Sequence, residues 1–129
     1  MNVIRGDSAR LAPSTLPIFT GDVGIHTYVD GAVGEHLRLT LVRFEAGSRT
    51  TWHRHAFEQM LVVTAGRGIV ATEGRAWEVS AGDIVVVPAN ERHWHGAAEG
   101  TTMAHLSVVT PGETTVLEAV QGWPSDFGA

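Results

Sequence analysis

Apolar and polar residues alternate along most of this chain, in short runs that are rich in β-branched and aromatic side chains. A period of two residues is typical of a strand with one buried face, and each run ends at Gly, Pro, Asn or Asp, which favour turns. The pattern therefore indicates an all-β protein. Strands are predicted at residues 23–29, 37–45, 49–55, 58–64, 68–73, 76–79, 83–87, 93–96, 103–109 and 115–118.

The turn residues recur at intervals of roughly 8 to 12 residues, which is typical of a β-sandwich or a small barrel with short hairpins. Residues 23–110 are predicted to form this core, and a hairpin turn is predicted at residues 66–68. Residues 112–120 are just long enough to form a helical turn. Residues 1–17 and 122–129 are predicted to be arms, and the N-terminal arm of such a barrel often crosses to a second subunit.

Length and composition narrow the possible functions. A chain of 129 residues is the usual size of one domain, here residues 1–129. The formal charge is −5 and all nine basic residues are scattered arginines, which argues against nucleic acid as a partner. The absence of Lys and Cys excludes Schiff-base and thiolate chemistry. No apolar run is long enough to cross a bilayer and the first residues lack a signal-peptide core, so we expect a cytoplasmic protein without a membrane partner.

Histidines are the informative feature. Five of the seven fall in three short apolar strands, at His53, His55, His93, His95 and His105. Alternate side chains of a strand share a face, so His53 and His55 are about 7 Å apart along the backbone and can converge on one metal ion. His93 and His95 share a face in the same way.

Two neighbouring residues compete for a further place in this cluster. Gln59 has the same parity as His53 and His55, whereas Glu58 has the opposite parity. A strand that runs on without a bulge directs Phe57 and Gln59 inward and Glu58 outward. A bulge would reverse the choice.

The spacing Gly47-x5-His53-x-His55-x3-Gln59-x6-Gly66, followed by Gly82-x5-Pro88-x-Asn90-x2-His93, resembles the two sequence motifs of the cupin family. The resemblance implies a single cupin β-barrel, also called a jelly roll or double-stranded β-helix. Gln59 stands where cupins usually have Glu, and Asn90 stands where Gly is usual. Asn tolerates positive φ better than other non-Gly residues, so the second turn is expected to form.

The resemblance also implies one divalent transition metal, with His53, His55, Gln59 and His93 as ligands. Such a ligand set carries no charge, so the ion would act as a comparatively strong Lewis acid. Nitrogen and oxygen ligands admit Mn, Fe, Ni, Zn, Co or Cu.

A narrower similarity concerns the segments HWHGAA at 93–98 and MAHL at 103–106. They resemble segments of small bacterial cupins that act as manganese-dependent hydroxynitrile lyases. That similarity implies His105 as catalytic base, His95 as a second polar group near the substrate, and Thr40 and Val42 in the pocket wall. Phe57, if it points inward, would alter the pocket's shape. If the strand of His105 instead turned its other face inward, Leu106 and its alternate neighbours would line the pocket.

The predicted function is metal-dependent cleavage of a small oxygenated substrate, most concretely of a cyanohydrin into an aldehyde and cyanide. Two other functions remain open, because one fold and one ligand set serve several chemistries. They are a dioxygenase for a small aromatic or diketone substrate, and a non-catalytic module that binds a small molecule. A homodimer or homotetramer is also expected, because outward apolar residues such as Trp52 and Trp94 would otherwise face water.

Overall fold

Short antiparallel strands make up nearly all the regular structure of this computed structural model, which describes residues 1–128. A three-residue 3-10 helix, Gly6–Ser8, precedes them. The strands are β1 (Ala12–Pro13), β2 (Phe19–Thr20), β3 (Val23–Val29), β4 (Arg38–Phe44), β5 (Arg49–Thr50), β6 (His53–His55), β7 (Gln59–Thr72), β8 (Arg75–Ser80), β9 (Ile84–Val87), β10 (His93–Ala97), β11 (Met103–Val109) and β12 (Thr114–Val116).

Two sheets form the walls of the barrel. In the first sheet the order is β1-β3-β4-β11-β7-β9. In the second sheet it is β2-β5-β10-β7-β8, and β6 pairs with both β10 and β12. The long strand β7 belongs to both sheets, because Gln59 to Gly66 pair within the first and Arg67 to Thr72 pair within the second.

The change of sheet occurs at Gly66. Its φ is +73°, and a Cβ atom there would overlap the Thr102 carbonyl, so only glycine fits. The register between β7 and β11 also shifts between Ala104 and His105, which marks a bulge at Thr64. The hairpin turn predicted at residues 66–68 is therefore wrong, and the two strands predicted at 58–64 and 68–73 are one continuous strand.

The other predicted strands are found with small changes at their ends. The strand predicted at 49–55 is interrupted at Thr51 and Trp52, which separate β5 from β6. The helical turn considered for residues 112–120 is wrong, because β12 lies there and pairs with β6. The all-β prediction is confirmed, and within residues 1–128 no helix is long and apolar enough to cross a membrane.

Both arms pack on their own chain. In the N-terminal arm, β1 pairs with β3, and Tyr28 donates a hydrogen bond to the Gly6 carbonyl. The C-terminal arm crosses the outer face of the second sheet, where Trp123 contacts Trp94 edge to face. Trp94 is consequently buried at 2% exposure and Trp52 is half-buried, so the expectation that both face water is wrong.

A cluster of aliphatic and aromatic side chains fills the space between the two sheets. Its buried members are Val23, Val42, Phe44, Leu61, Val63, Val70, Val79, Ala97 and Met103. This packing occupies one end of the barrel interior. The buried histidines occupy the space next to it, where Phe44 contacts both His95 and His105.

Candidate metal centre

Three histidine rings converge in the barrel interior. His53 and His55 alternate along β6 and are both buried, as their parity requires, and His93 begins β10 directly opposite His53. The ring centroids of His53 and His93 are 4.2 Å apart. One ring nitrogen from each of the three lies within 4.8 Å of the others, so the cluster can hold a metal ion.

Backbone carbonyls orient two of these rings. His53 Nδ1 lies 2.8 Å from the Thr51 carbonyl oxygen, and His93 Nδ1 lies 2.9 Å from that of Glu91. A carbonyl oxygen can only accept, so each Nδ1 carries the proton and each Nε2 keeps a free lone pair. Both Nε2 atoms are buried without a hydrogen-bond partner, which is the arrangement expected of metal ligands.

The turn before His93 is fixed by Asn90. Its φ is +67°, as the sequence predicted for a residue at a position where Gly is usual. The Asn90 amide donates to the His55 carbonyl at 2.6 Å, so this turn is tied to the strand that carries the other two histidines.

Gln59 joins the cluster and Glu58 does not. Gln59 is 6% exposed, whereas Glu58 is exposed to solvent. The Gln59 amide Nε2 donates to Ser107 Oγ at 2.9 Å, which directs its Oε1 toward the histidines, 3.2 Å from His55 Nε2. The side-chain oxygen therefore faces the same point as the ring nitrogens.

The cluster is held in the uncharged state. Burial, followed by the proximity of His93, lowers the pKa of His53 to about 3 and that of His55 to about 4. Burial also lowers the pKa of His93. At neutral pH these rings are therefore neutral imidazoles, the form in which histidine binds metal ions.

A second histidine pair lies beside the cluster. His95 and His105 are 5% and 1% exposed, and the Nε2 of His105 is 3.2 Å from the Nδ1 of His95. The His105 side of β11 therefore faces inward, and Leu106 lies on the opposite face. Burial lowers the pKa of His105 to about 4 and that of His95 well below its usual value.

A cavity of about 460 Å³ lies next to His93 and His95 and extends between β8 and β9. Its apolar lining includes Leu61, Val70, Trp77, Val79, Val85 and Val87. None of these side chains was singled out from the sequence, because the strand pattern identifies them only as core residues. These side chains line a cavity because β8 and β9 pair with different parts of β7, in different sheets, and leave a space between them.

The residues predicted for the pocket wall occupy other places. Val42 pairs directly with His105, and Thr40 pairs with Ser107, so both lie on the inner face of the first sheet. Phe57 is half-buried, and its ring stacks on His55 with the centroids 4.8 Å apart. All three therefore lie near the histidines.

Thr114 was also missed. Its hydroxyl lies 2.8 Å from His55 Nδ1, although the two residues are 59 positions apart. No local signal marks this residue, because its place beside His55 is set by the pairing of β12 with β6.

Comparisons with known proteins agree with this geometry. A family model described as a cupin domain matches residues 40–110. The chain is 43% identical over 109 residues to an (R)-mandelonitrile lyase from Granulicella tundricola, a match that covers 84% of this chain and 83% of the relative.

Solved structures show the same fold. A cupin-like protein from Thermotoga maritima has a TM-score of 0.81 and 34% identity, over 85% of this chain and 86% of that one. The polyketide cyclase RemF from Streptomyces resistomycificus has a TM-score of 0.78 and 21% identity, over 95% and 87%. The barrel, the buried histidines and these matches lead to one conclusion, that the chain belongs to the cupin family.

Proposed function

We propose that this protein is a metal-dependent lyase that cleaves a cyanohydrin into an aldehyde and hydrogen cyanide, and catalyses the reverse addition. The observation that carries the proposal is the buried His95–His105 pair, which stands next to the three-histidine cluster. Neither ring belongs to the three-histidine cluster, so both are available for proton transfer. The similarity to an (R)-mandelonitrile lyase supports the same reaction.

We propose His53, His55, His93 and Gln59 as the residues that hold one divalent metal. The free, buried Nε2 atoms of His53 and His93 support this assignment, as does the direction of the Gln59 oxygen. We propose manganese, and the same donors would also accept Fe, Ni, Zn, Co or Cu. A metal bound by four uncharged donors supplies a Lewis acid that stabilises a developing oxygen or cyanide anion.

The histidine pair would move the proton. His95 lines the cavity, and because its Nδ1 faces His105, its Nε2 is the nitrogen available to a substrate. The substrate hydroxyl gives its proton to His95 Nε2, while the Nδ1 proton of His95 passes to His105 Nε2. In this way His105 is the final base of the pair.

Two bonding electron pairs move when the substrate loses this proton. The O–H pair forms the carbonyl bond of the aldehyde, and the carbon–carbon bond breaks with its electron pair on cyanide. The proton then returns through His95 to the cyanide, which leaves as hydrogen cyanide. Burial keeps both rings neutral at pH 7, so each has an unprotonated nitrogen before the reaction, and the same lowered pKa makes the pair a weaker base than an exposed histidine.

The cavity favours a small, mostly apolar substrate. Aliphatic side chains and two tryptophans, Trp77 and Trp94, form most of its lining, with His93 and His95 at one side and the acidic residues Glu78, Asp83 and Glu91 also among the lining residues. A cyanohydrin with an aryl or alkyl group would place that group against the lining and its polar carbon against the histidines. Within this proposal Val42 and Phe57 shape the space around the histidines, and Thr40 lies farther along the same wall.

The direct test is a cyanide-release assay with mandelonitrile, alongside elemental analysis of protein grown without added metal. We expect about one metal ion per chain. Cyanide release should stop when a chelator removes this ion. Oxygen consumption with an aromatic or diketone substrate, without cyanide release, would instead identify a dioxygenase. Retention of a small molecule without turnover would identify a binding module.

We also propose that two copies of the chain associate through the outer face of the first sheet. Eight apolar side chains lie there in direct cross-strand register on four neighbouring strands, namely Leu39, Leu41, Met60, Val62, Ile84, Val86, Leu106 and Val108. Ile84 and Val86 are 62% and 58% exposed. No side chain in this set is charged, so a second copy of the same face can cover it without burying a charge.

A further inference from the structure

The strand that carries His53 and His55 has few partners within the barrel. β6 is three residues long, and it meets β10 at one residue pair only, His53 with His93. Its remaining ladder is made with β12, through three consecutive pairs. The backbone that positions two of the three histidines is therefore held mainly by the C-terminal segment.

Further hydrogen bonds extend this pairing on both sides of β6. The Ala56 amide donates to the Glu113 carbonyl at 2.9 Å. At the other end, the Leu117 amide donates to the Trp52 carbonyl at 2.8 Å, and the Trp52 amide donates to the Glu118 carbonyl at 2.9 Å. Residues 113–118 thus form an unbroken partner for residues 52–56.

A side-chain contact closes the same end. Arg92, the residue before His93, donates a hydrogen bond to Glu118 at 2.7 Å. Its guanidinium also lies 4.5 Å from the ring of Trp52, the residue before His53. This contact joins the C-terminal segment to the residues just before both histidine strands.

The hydroxyl of Thr114 differs chemically from the groups that orient the other two rings. His53 and His93 each face a carbonyl oxygen, which only accepts a hydrogen bond. A hydroxyl can accept or donate. His55 is therefore the one ring of the three whose Nδ1 partner suits either tautomer.

The second ring nitrogen of His55 shows why this matters. Its Nε2 lies 3.2 Å from Gln59 Oε1, an acceptor, so in the metal-free protein the proton sits on Nε2 and the Thr114 hydroxyl donates to Nδ1. For Nε2 to bind a metal, the proton must move to Nδ1. The Thr114 hydroxyl can then rotate and accept it.

We propose that residues 113–118 are part of the metal centre, and that Thr114 is a positioning residue that orients His55 and accommodates its change of tautomer on metal binding. This inference rests on the proposed metal site. It adds a component that lies outside the matched cupin segment, residues 40–110.

Three substitutions test the inference. Thr114→Val removes the hydroxyl and keeps the shape, whereas Thr114→Ser keeps the hydroxyl. Thr115→Val is the matched control, because Thr115 pairs with the exposed Arg54 and so lies on the opposite face of the same strand. All three variants keep a β-branched or small residue at an exposed position, and thermal melting of each checks the fold.

Two measurements are made on each variant. The first is the dissociation constant for Mn²⁺, from the electron paramagnetic resonance signal of the free ion. The second is the tautomer of His55 in the metal-free protein, from long-range ¹⁵N–¹H NMR correlations of the ring.

We expect Thr114→Val to weaken Mn²⁺ binding by about 10- to 100-fold, the usual effect of removing a group that orients a metal ligand. The same variant should shift the Nδ1 resonance of His55, which loses its hydrogen-bond donor, while the proton stays on Nε2 opposite Gln59 Oε1. The patterns of His53 and His93 should be unaltered. Thr114→Ser should stay within about threefold of the parent, and Thr115→Val should match it.

The inference fails if Thr114→Val keeps both the parent affinity and the parent His55 pattern, or if Thr115→Val weakens binding as much. Failure of the proposed metal site looks different, because the unsubstituted protein itself would then bind no Mn²⁺. In that case the NMR pattern of His55 in Thr114→Val decides whether Thr114 orients the ring.

Discussion

His105 Nε2 lies 3.2 Å from His95 Nδ1, and both rings are almost completely buried. A neutral imidazole has one donor and one acceptor nitrogen, so this contact requires that one ring donates and the other accepts. Because His95 lines the cavity, this contact connects the cavity to His105 on the inner face of the first sheet.

The first prediction concerns the base. We expect His105→Ala to keep its metal but to lose about 100-fold or more of its cyanide-release rate, the usual scale for a lost general base. His36→Ala is the control, because the side chain of His36 is 79% exposed and lies away from the cavity. A His105→Ala enzyme that turns over at the parent rate would remove His105 from the mechanism.

The second prediction concerns the ligands. We expect His53→Ala to abolish stoichiometric metal binding, because it removes a buried nitrogen that has no other partner. Glu58→Gln should leave stoichiometry unchanged, because Glu58 is exposed to solvent. Elemental analysis after gel filtration measures both, and metal loss in Glu58→Gln would mean that Glu58, not Gln59, serves the site.

The third prediction concerns association. We expect the parent to elute as a dimer or a larger assembly, and Ile84→Glu to weaken that association by about 100-fold or more, because a glutamate would be buried without a partner. Leu16→Glu is the control, since Leu16 is 53% exposed and lies before β2, which belongs to the second sheet. Light scattering across a range of concentrations decides, and a parent mass near 13.8 kDa would contradict the assembly.

The fourth prediction concerns pH. Burial lowers the pKa of His105 to about 4, whereas histidine in an unfolded chain titrates near 6.5. Between these values the unfolded chain binds more protons, so the metal-free protein should lose stability as the pH falls from about 6.5 to about 4. His105 alone contributes on the order of 3 kcal/mol to this loss, or a decrease in Tm on the order of 10 °C.

Thermal melts in chelator from pH 7 to pH 4 test this expectation. His105→Leu should flatten the dependence, and His36→Gln should follow the parent. An equal slope in the parent and in His105→Leu would show that other buried groups account for the acid sensitivity.

The fifth prediction concerns the cavity. Val85 is half-buried in its lining, and Val85→Phe would narrow the space between β8 and β9. We expect kcat/KM for mandelonitrile to fall at least tenfold and that for acetone cyanohydrin to change much less, because only the aryl group needs the lost volume. Equal losses for both substrates would place the substrate elsewhere.

The barrel could be predicted because its signals are local. Alternation and turn residues located β3 and β11 at their observed bounds. The preference for Gln59 over Glu58 assumed a strand that runs on from His53, whereas β6 ends at His55 and β7 begins at Gln59; Gln59 is nevertheless the buried residue of the two. At Gly66 the same local signal was misleading, since a hairpin turn and a strand that changes sheets both use a glycine with positive φ. Only the partners of the strand tell the two apart.

Long-range pairing accounts for what the sequence could not supply. Trp94 does point outward from its sheet, but the C-terminal arm, with Trp123, covers it. Thr114 meets His55 only because the chain returns to β6 after closing the barrel. Strands of two residues, such as β1 and β2, are too short for alternation to reveal them.

The passage of β7 through both sheets limits how the interior can be reached. Because one unbroken backbone belongs to both walls, the walls cannot swing apart along that line as two lobes would. The edge strands β8 and β9 diverge from β7 on either side of the cavity, and within residues 1–128 each pairs with β7 alone. The cavity lies between these two edges, so residues of β8 and β9, such as Trp77 and Val85, bound the space next to His93 and His95 while the histidines are held by other strands.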